Sequence, residues 1–335
     1  MTAKPSNGSF IIGVDLGGTK ISAGAVNLDG SRVIGVRSVP TQPELGAEGV
    51  VDRIYSVIEG VILDAINEVG VSRKDFVGIG IGAPGPLDRE KGIVVVAPNL
   101  GWRDFPLRDR ITSRFGLPAT LDNDANCATV GEWWLGAARG GRNVVGITIG
   151  TGIGGGLIIN EQLYHGASDV AGEIGHTTID VNGRHCKCGN YGCLEAYASG
   201  PAIATRAREA LAREDTASLL PSMVDGLLDK ITAEVVYDAA KKGDGLANEI
   251  VRDTARYLGA GIASLLNVIN PDVVVIAGGV TRAGDALFLP LRAEVRRRAF
   301  TPAVKAARIV PAELPGTAGV VGAVATFKTG TYGTL

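Results

Sequence analysis

The chain has 335 residues, is 45% hydrophobic and contains 48 glycines, which is enough for two domains with separate cores. Its 33 lysines and arginines nearly balance 35 aspartates and glutamates. A net charge of -2 sets up no long-range field that would recruit a polyanion, so nucleic acid is not an expected partner.

The polar N-terminus leads directly into Phe10-Ile11-Ile12, with no apolar signal-peptide core. The most apolar stretch, Val144 to Ile159, is broken by glycines and threonines. It falls short of the roughly 20 apolar residues a membrane span needs. Three of the four cysteines crowd into residues 186–193, unlike a secreted disulfide framework. A cytoplasmic location and no membrane partner are expected.

In chain order, apolar runs at Phe10–Val14 and Ile21–Val26 flank a glycine turn, and a third run follows at Val33–Val36. A helical stripe then carries Val50, Val51, Ile54, Val57, Ile58, Val61, Ile62, Ala65, Ile66 and Val69. Val77–Ile81 reads as a buried strand ending in Gly82-Ala83-Pro84-Gly85-Pro86. A similar order recurs: Val144–Ile149, a glycine turn, Gly156–Ile159, a helical stripe from Ile250 to Ile269, and Val273–Ala277 ending at Gly278-Gly279. This duplication predicts two similar α/β domains facing across a cleft. The expected bounds are 1–126 plus about 318–335 for a smaller N-terminal domain, and 127–317 for a larger one. The glycine-rich helix at Thr317–Lys328 returns to the first.

Asp15-Leu16-Gly17-Gly18-Thr19-Lys20 lies between two strands. Its glycines let the backbone approach an anion with amide hydrogens inward, although an ordinary hairpin turn would also carry such a pair. Gly150-Thr151-Gly152-Ile153-Gly154-Gly155 matches GxGxxG, but Leu157-Ile158-Ile159 continues as a strand where a dinucleotide fingerprint must open a helix. Ahead of a helical pattern, Asp122-Asn123-Asp124-Ala125-Asn126 offers two carboxylates and two amides. Asp124 fits either an N-cap or a base that takes a proton from a sugar hydroxyl.

His176, Cys186, Cys188 and Cys193 supply four soft ligands, the set a tetrahedral structural zinc needs. His185 is a rival fourth ligand, His165 reads as a loop histidine, and Cys127 as a small buried residue.

Taken together, GEIGH at 172–176 and CGNYGCLE at 188–195 resemble the ROK family of repressors and sugar kinases. The resemblance spans nearly the whole chain and implies an actin-like, ribonuclease-H-like fold. It implies ATP at the loops carrying Asp15, Gly17, Gly18, Thr19 and Lys20, Gly150, Thr151 and Gly152, and Gly278 and Gly279, together with Mg²⁺. It implies Asp124 as catalytic base, with Asn123, Glu173, His176, Glu195, the Gly85 backbone and Asn99 at a sugar. Glucose is the first expectation, with N-acetylmannosamine, fructose or allose as other hexoses and polyphosphate as another donor. A homo-oligomer, dimer or tetramer, is expected. A sugar-responsive regulator is the rival class, and the first strand near residue 10 is expected to leave no room for a winged helix.

Overall fold

The computed structural model describes residues 8–213 and 217–335. The chain starts with β1 (Phe10–Leu16), β2 (Lys20–Asn27) and β3 (Val33–Pro40), followed by α1 (Gly46–Val69) and β4 (Phe76–Ala83). A small sheet, β5 (Leu87–Asp88), β6 (Ile93–Ala97) and β7 (Trp102–Phe105), precedes α2 (Leu107–Phe115), β8 (Ala119–Asn123) and α3 (Asp124–Trp134). Next come β9 (Val144–Ile149), β10 (Ile153–Ile159), β11 (Gln162–Leu163), α4 (Glu195–Ala198), α5 (Gly200–Leu211) and α6 (Leu220–Met223). The remaining elements are α7 (Ala233–Lys241), α8 (Gly245–Ile269), β12 (Val273–Ala277), α9 (Asp285–Arg298), α10 (Thr301–Ala306), β13 (Arg308–Pro311) and α11 (Ala318–Tyr332).

The first sheet has the order β3-β2-β1-β4-β8, and the second β11-β10-β9-β12-β13. Each is the same permutation of its own strands: third, second, first, fourth, fifth. In the first, β1 and β2 form an antiparallel hairpin while β4 and β8 join in parallel. In the second, β12 runs parallel to both β9 and β13. The duplication read from glycine turns and apolar runs is therefore one of topology.

The molecule has two compact units: residues up to 141 with 156–171 and 313–335, and residues 142–155 with 172–312. The first boundary thus falls at 141/142 rather than 126/127. The reason is packing, because α3 lies along α11 and both belong to the first unit. The contact is backbone to backbone. A Cβ on Gly322 would lie 1.5 Å from the Cys127 carbonyl oxygen, and one on Gly80 of β4 1.8 Å from that of Ala323. Only glycine permits so close an approach. α11 fills the remaining space with Val320, Val321, Val324 and Phe327, all fully or almost fully buried. On the other face of the sheet the α1 stripe buries Val50, Ile54, Val57, Ile58 and Val61. Among the described residues, no helix is long and apolar enough to cross a membrane.

Candidate active site

In the first unit the β1–β2 turn is tight: the Gly17 N–H donates to the Lys20 carbonyl at 2.9 Å. Thr41, buried and not singled out in the sequence, clips it from outside. The Thr41 hydroxyl donates to the Gly17 carbonyl at 2.7 Å, and its N–H to the Thr19 carbonyl at 2.9 Å. Thr19 and Lys20 are exposed. Asn99, in a short turn at Pro98–Leu100, lies beside Gly18, while Gly85 is half-buried in the loop leading into β5.

Asp15 is the half-buried residue of β1, between buried Val14 and Leu16, and its carboxyl fits against Gly319 at the start of α11, where a Cβ would come within 2.5 Å. Burial first, then the Asp124 charge, push Asp15 up to about 7, against the pull of Lys20. An acid so placed gains from any cation brought beside it.

Asn123, not Asp124, is the N-cap of α3. Its side-chain oxygen accepts from the Ala125 and Asn126 amides, at 2.9 and 3.1 Å. Asp124 follows half-buried in the first helical turn, where its Oδ1 accepts from the Ala125 N–H at 2.8 Å. A carboxylate is favoured at that end of a helix.

Directly before it, buried Asp122 accepts from the Asn123 N–H at 2.8 Å and the Asn126 side-chain amide at 3.1 Å, both at Oδ1. Its Oδ2 meets His165 Nε2 at 2.9 Å and Arg89 Nε at 3.3 Å. Burial acts most strongly and upward on Asp122, but His165, Arg89 and Asn126 together hold it below the usual carboxylate range. His165, in the loop after β11, is thus a hydrogen-bond partner of buried Asp122.

In the second unit the β9–β10 turn closes with the Gly150 N–H on the Gly152 carbonyl, at 2.9 Å. The turn is backed by α5: Ser199 caps that helix, and the Gly200 N–H donates to the Gly150 carbonyl at 2.9 Å. Gly278, at φ +100°, presses on the Ile149 carbonyl, where a Cβ would approach to 2.0 Å. A cavity of about 520 Å³ opens here, lined by Gly150, Thr151, Gly279, Gly200, Tyr237 and Lys241. It includes three of the residues expected at ATP. Tyr237 and Lys241 on α7 were not expected, because a helix face reveals no pocket until its neighbours are known.

His176, Cys186, Cys188 and Cys193 converge, with all four donor atoms within 4.8 Å of one another. Cys186 Sγ lies 3.8 Å from His176 Nδ1, and Cys188 Sγ 3.7 Å from Cys193 Sγ. This donor set fits a tetrahedral zinc. His185 is outside the group and instead packs edge-on against Tyr191. Glu195, at the start of α4, joins this loop to the glycine turn: its Oε2 accepts from the Ile153 N–H at 2.8 Å, and its Oε1 lies 4.0 Å from Cys186 Sγ. Glu173 is raised by partial burial of its carboxyl, lowered by His176 and raised again by Glu195. Glu173, His176 and Glu195 therefore share one neighbourhood.

A family model described as ROK family matches residues 11–330. The glucokinase of Halalkalibacterium halodurans is 38% identical, over 93% of this chain and 93% of its own. A putative xylose repressor of Caldicellulosiruptor is 35% identical, over 95% of this chain and 78% of its own. The crystal structure of a ROK family glucokinase from Streptomyces griseus, in complex with glucose and AMPPNP, matches with a TM-score of 0.81 at 39% identity. That match covers 95% of this chain and 99% of the other. With an actin-like α/β topology and a family match spanning nearly every described element, this chain belongs to the ROK family.

Proposed function

We propose that this protein is an ATP-dependent kinase that phosphorylates glucose at its 6-hydroxyl. The observation that carries the reading is the acidic turn, where Asn123 caps α3 and Asp124 follows half-buried in the first helical turn. The 38% identity to a glucokinase over 93% of the chain supports glucose as the acceptor.

Asp124 orients the 6-hydroxyl and accepts its proton as oxygen bonds to the γ-phosphorus and the bond to the bridging oxygen of ADP breaks. Asn123 has its carbonyl engaged in the cap, so its NH₂ is the part that meets a sugar hydroxyl. Glu173, His176 and Glu195 are suited to further hydroxyl contacts, as are the Gly85 backbone and Asn99.

The cavity at Gly150, Thr151 and Gly279 has the size for a nucleoside, and the β9–β10 glycine turn that lines it is suited to the phosphates. Mg²⁺, when bound, neutralises phosphate charge; Asp15 is the residue suited to hold its water shell. His176, Cys186, Cys188 and Cys193 would hold zinc, which would supply rigidity to this loop.

A coupled assay across hexoses and phosphoryl donors tests the reading. Turnover should be fastest with glucose, ATP and Mg²⁺. Absence of any sugar phosphate, with sugar-released binding to an operator, would put the chain with the repressors of its family instead.

A further inference from the structure

The charge cluster behind the acidic turn lies outside the residues assigned so far. Asp122 is 4% exposed at its side chain, yet two basic side chains meet it: His165 Nε2 at 2.9 Å and Arg89 Nε at 3.3 Å. Arg89 then continues to Asp169, its Nη1 donating at 3.2 Å and its backbone N–H at 3.4 Å. All four residues belong to the first unit.

Such a cluster is costly to bury and is weak evidence for stability alone, since apolar residues of equal volume often serve as well. Its connections point to another use. The two oxygens of Asp122 divide the work: Oδ1 holds the Asn123 N–H and the Asn126 side chain, and Oδ2 holds His165 and Arg89. Asn123 and Asn126 flank Asp124 on both sides. Arg89 sits at the tip of the β5–β6 hairpin, just beyond the Gly85 loop, and His165 and Asp169 belong to the segment after β11.

We propose that Asp122 is a positioning residue for the Asn123–Asp124 turn, and that His165 and Arg89 fix its carboxylate so that the turn, the Gly85 hairpin and the 165–169 segment are held as one piece. This rests on the kinase reading, in which that turn carries the base. Asp122 touches neither sugar nor phosphate; it sets the direction in which Asp124 points. A misplacement of about 1 Å at such a group costs about 100-fold in rate.

The test uses the full-length protein with glucose at saturating ATP and Mg²⁺. His165→Ala should lower kcat about 10- to 100-fold and raise the glucose KM, with the ATP KM unchanged. His165→Gln, whose amide still donates to Asp122, should restore most of both. Asp122→Asn keeps the Oδ1 acceptor but not the charge, and should fall between them; it is also the variant to read if His165→Ala does not fold. A purely structural role would lower Tm in His165→Ala yet leave kcat and glucose KM of the folded enzyme at wild-type values, and that result overturns the proposal. So does a Gln variant as impaired as the Ala variant. Wild-type protein inactive on every hexose sinks the kinase reading and this one together, whereas active wild type with an unchanged His165→Ala sinks this one alone.

Discussion

The acidic turn of the first unit and the cysteine loop of the second are held in place by different chemistry. The turn at 122–126 emerges from β8, the edge strand beside β4, and enters a helix packed on α11, so its backbone path is fixed by the core. What remains is to aim side chains, and buried charge does that. The segment between His176 and Glu195 has only two isolated β-bridges, Thr178 with Cys193 and His185 with Tyr191, and exposes Val181 and Tyr191. With so little core of its own it would gain most from a cross-link, and four ligands within 4.8 Å of one another would provide one by holding a metal. A loop anchored in the core can be tuned electrostatically, whereas one on the surface must be tied.

If that contrast is right, the acidic turn governs rate and the cysteine loop governs sugar affinity. Asp124→Asn should fold, bind glucose and lose about 10²–10⁴-fold in kcat, because an amide cannot take the proton. Near-wild-type turnover would remove the distinction altogether.

The electrostatic tuning also has a cost that can be measured. Unfolded Asp15 ionises near 3.8 and the folded residue near 7, so between those pH values the folded protein holds the proton more tightly. Stability is therefore lost as pH rises through that window. Asp15→Asn should raise the stability of the metal-free protein by up to about 4 kcal/mol at pH 8, with the gain fading towards pH 4, while activity falls. Melting curves at both pH values check this; an equal gain at both would show that ionisation is not the cause.

On the other side of the comparison, Cys188→Ala should raise the glucose KM about 10- to 100-fold and leave the ATP KM nearly unchanged. Metal analysis should find one zinc per chain in the wild type. An unaltered glucose KM would mean that the loop needs no tie. The smallest effect concerns the other anchor of that loop. Tyr197 Oη accepts from the Arg184 N–H at 2.8 Å and donates to Asp180 at 3.2 Å. Tyr197→Phe should cost about 1 kcal/mol in denaturant titrations and leave zinc content intact. Loss of zinc would show that the tyrosine, rather than the ligands, sets the loop geometry.

Much of this was legible in the sequence because it is local. The α1 stripe, the two glycine turns and the four metal-type ligands are each written within 20 consecutive residues or fewer. The acidic turn was legible as chemistry but not as geometry: both amides and carboxylates were visible, while the division of labour, with Asn123 as the cap and Asp124 in the first helical turn, depends on backbone angles. The Asp122 cluster was invisible for a different reason. His165 lies 43 residues from Asp122, and Arg89 lies 80 from Asp169, so no window of sequence contains the pair. The same holds for Tyr237 and Lys241, which line a cavity only because α7 lies beside the Gly150 turn. The boundary at 141/142 followed from α11 packing on α3, a contact between the middle of the chain and its last helix.

That last contact bears on how the protein is made. The sheet begun at Phe10 is covered on one face only when residues 318–332 arrive, and Gly13, Gly78 and Gly80 leave a bare track on β1 and β4 that nothing but α11 fits. During synthesis the first unit must therefore wait, with that face open, while the whole of the second is translated and folds ahead of it. A ribosome that stops before residue 318 releases a chain whose earlier-made half is the unfinished one, marked for chaperones or proteases by an apolar face at its N-terminal end.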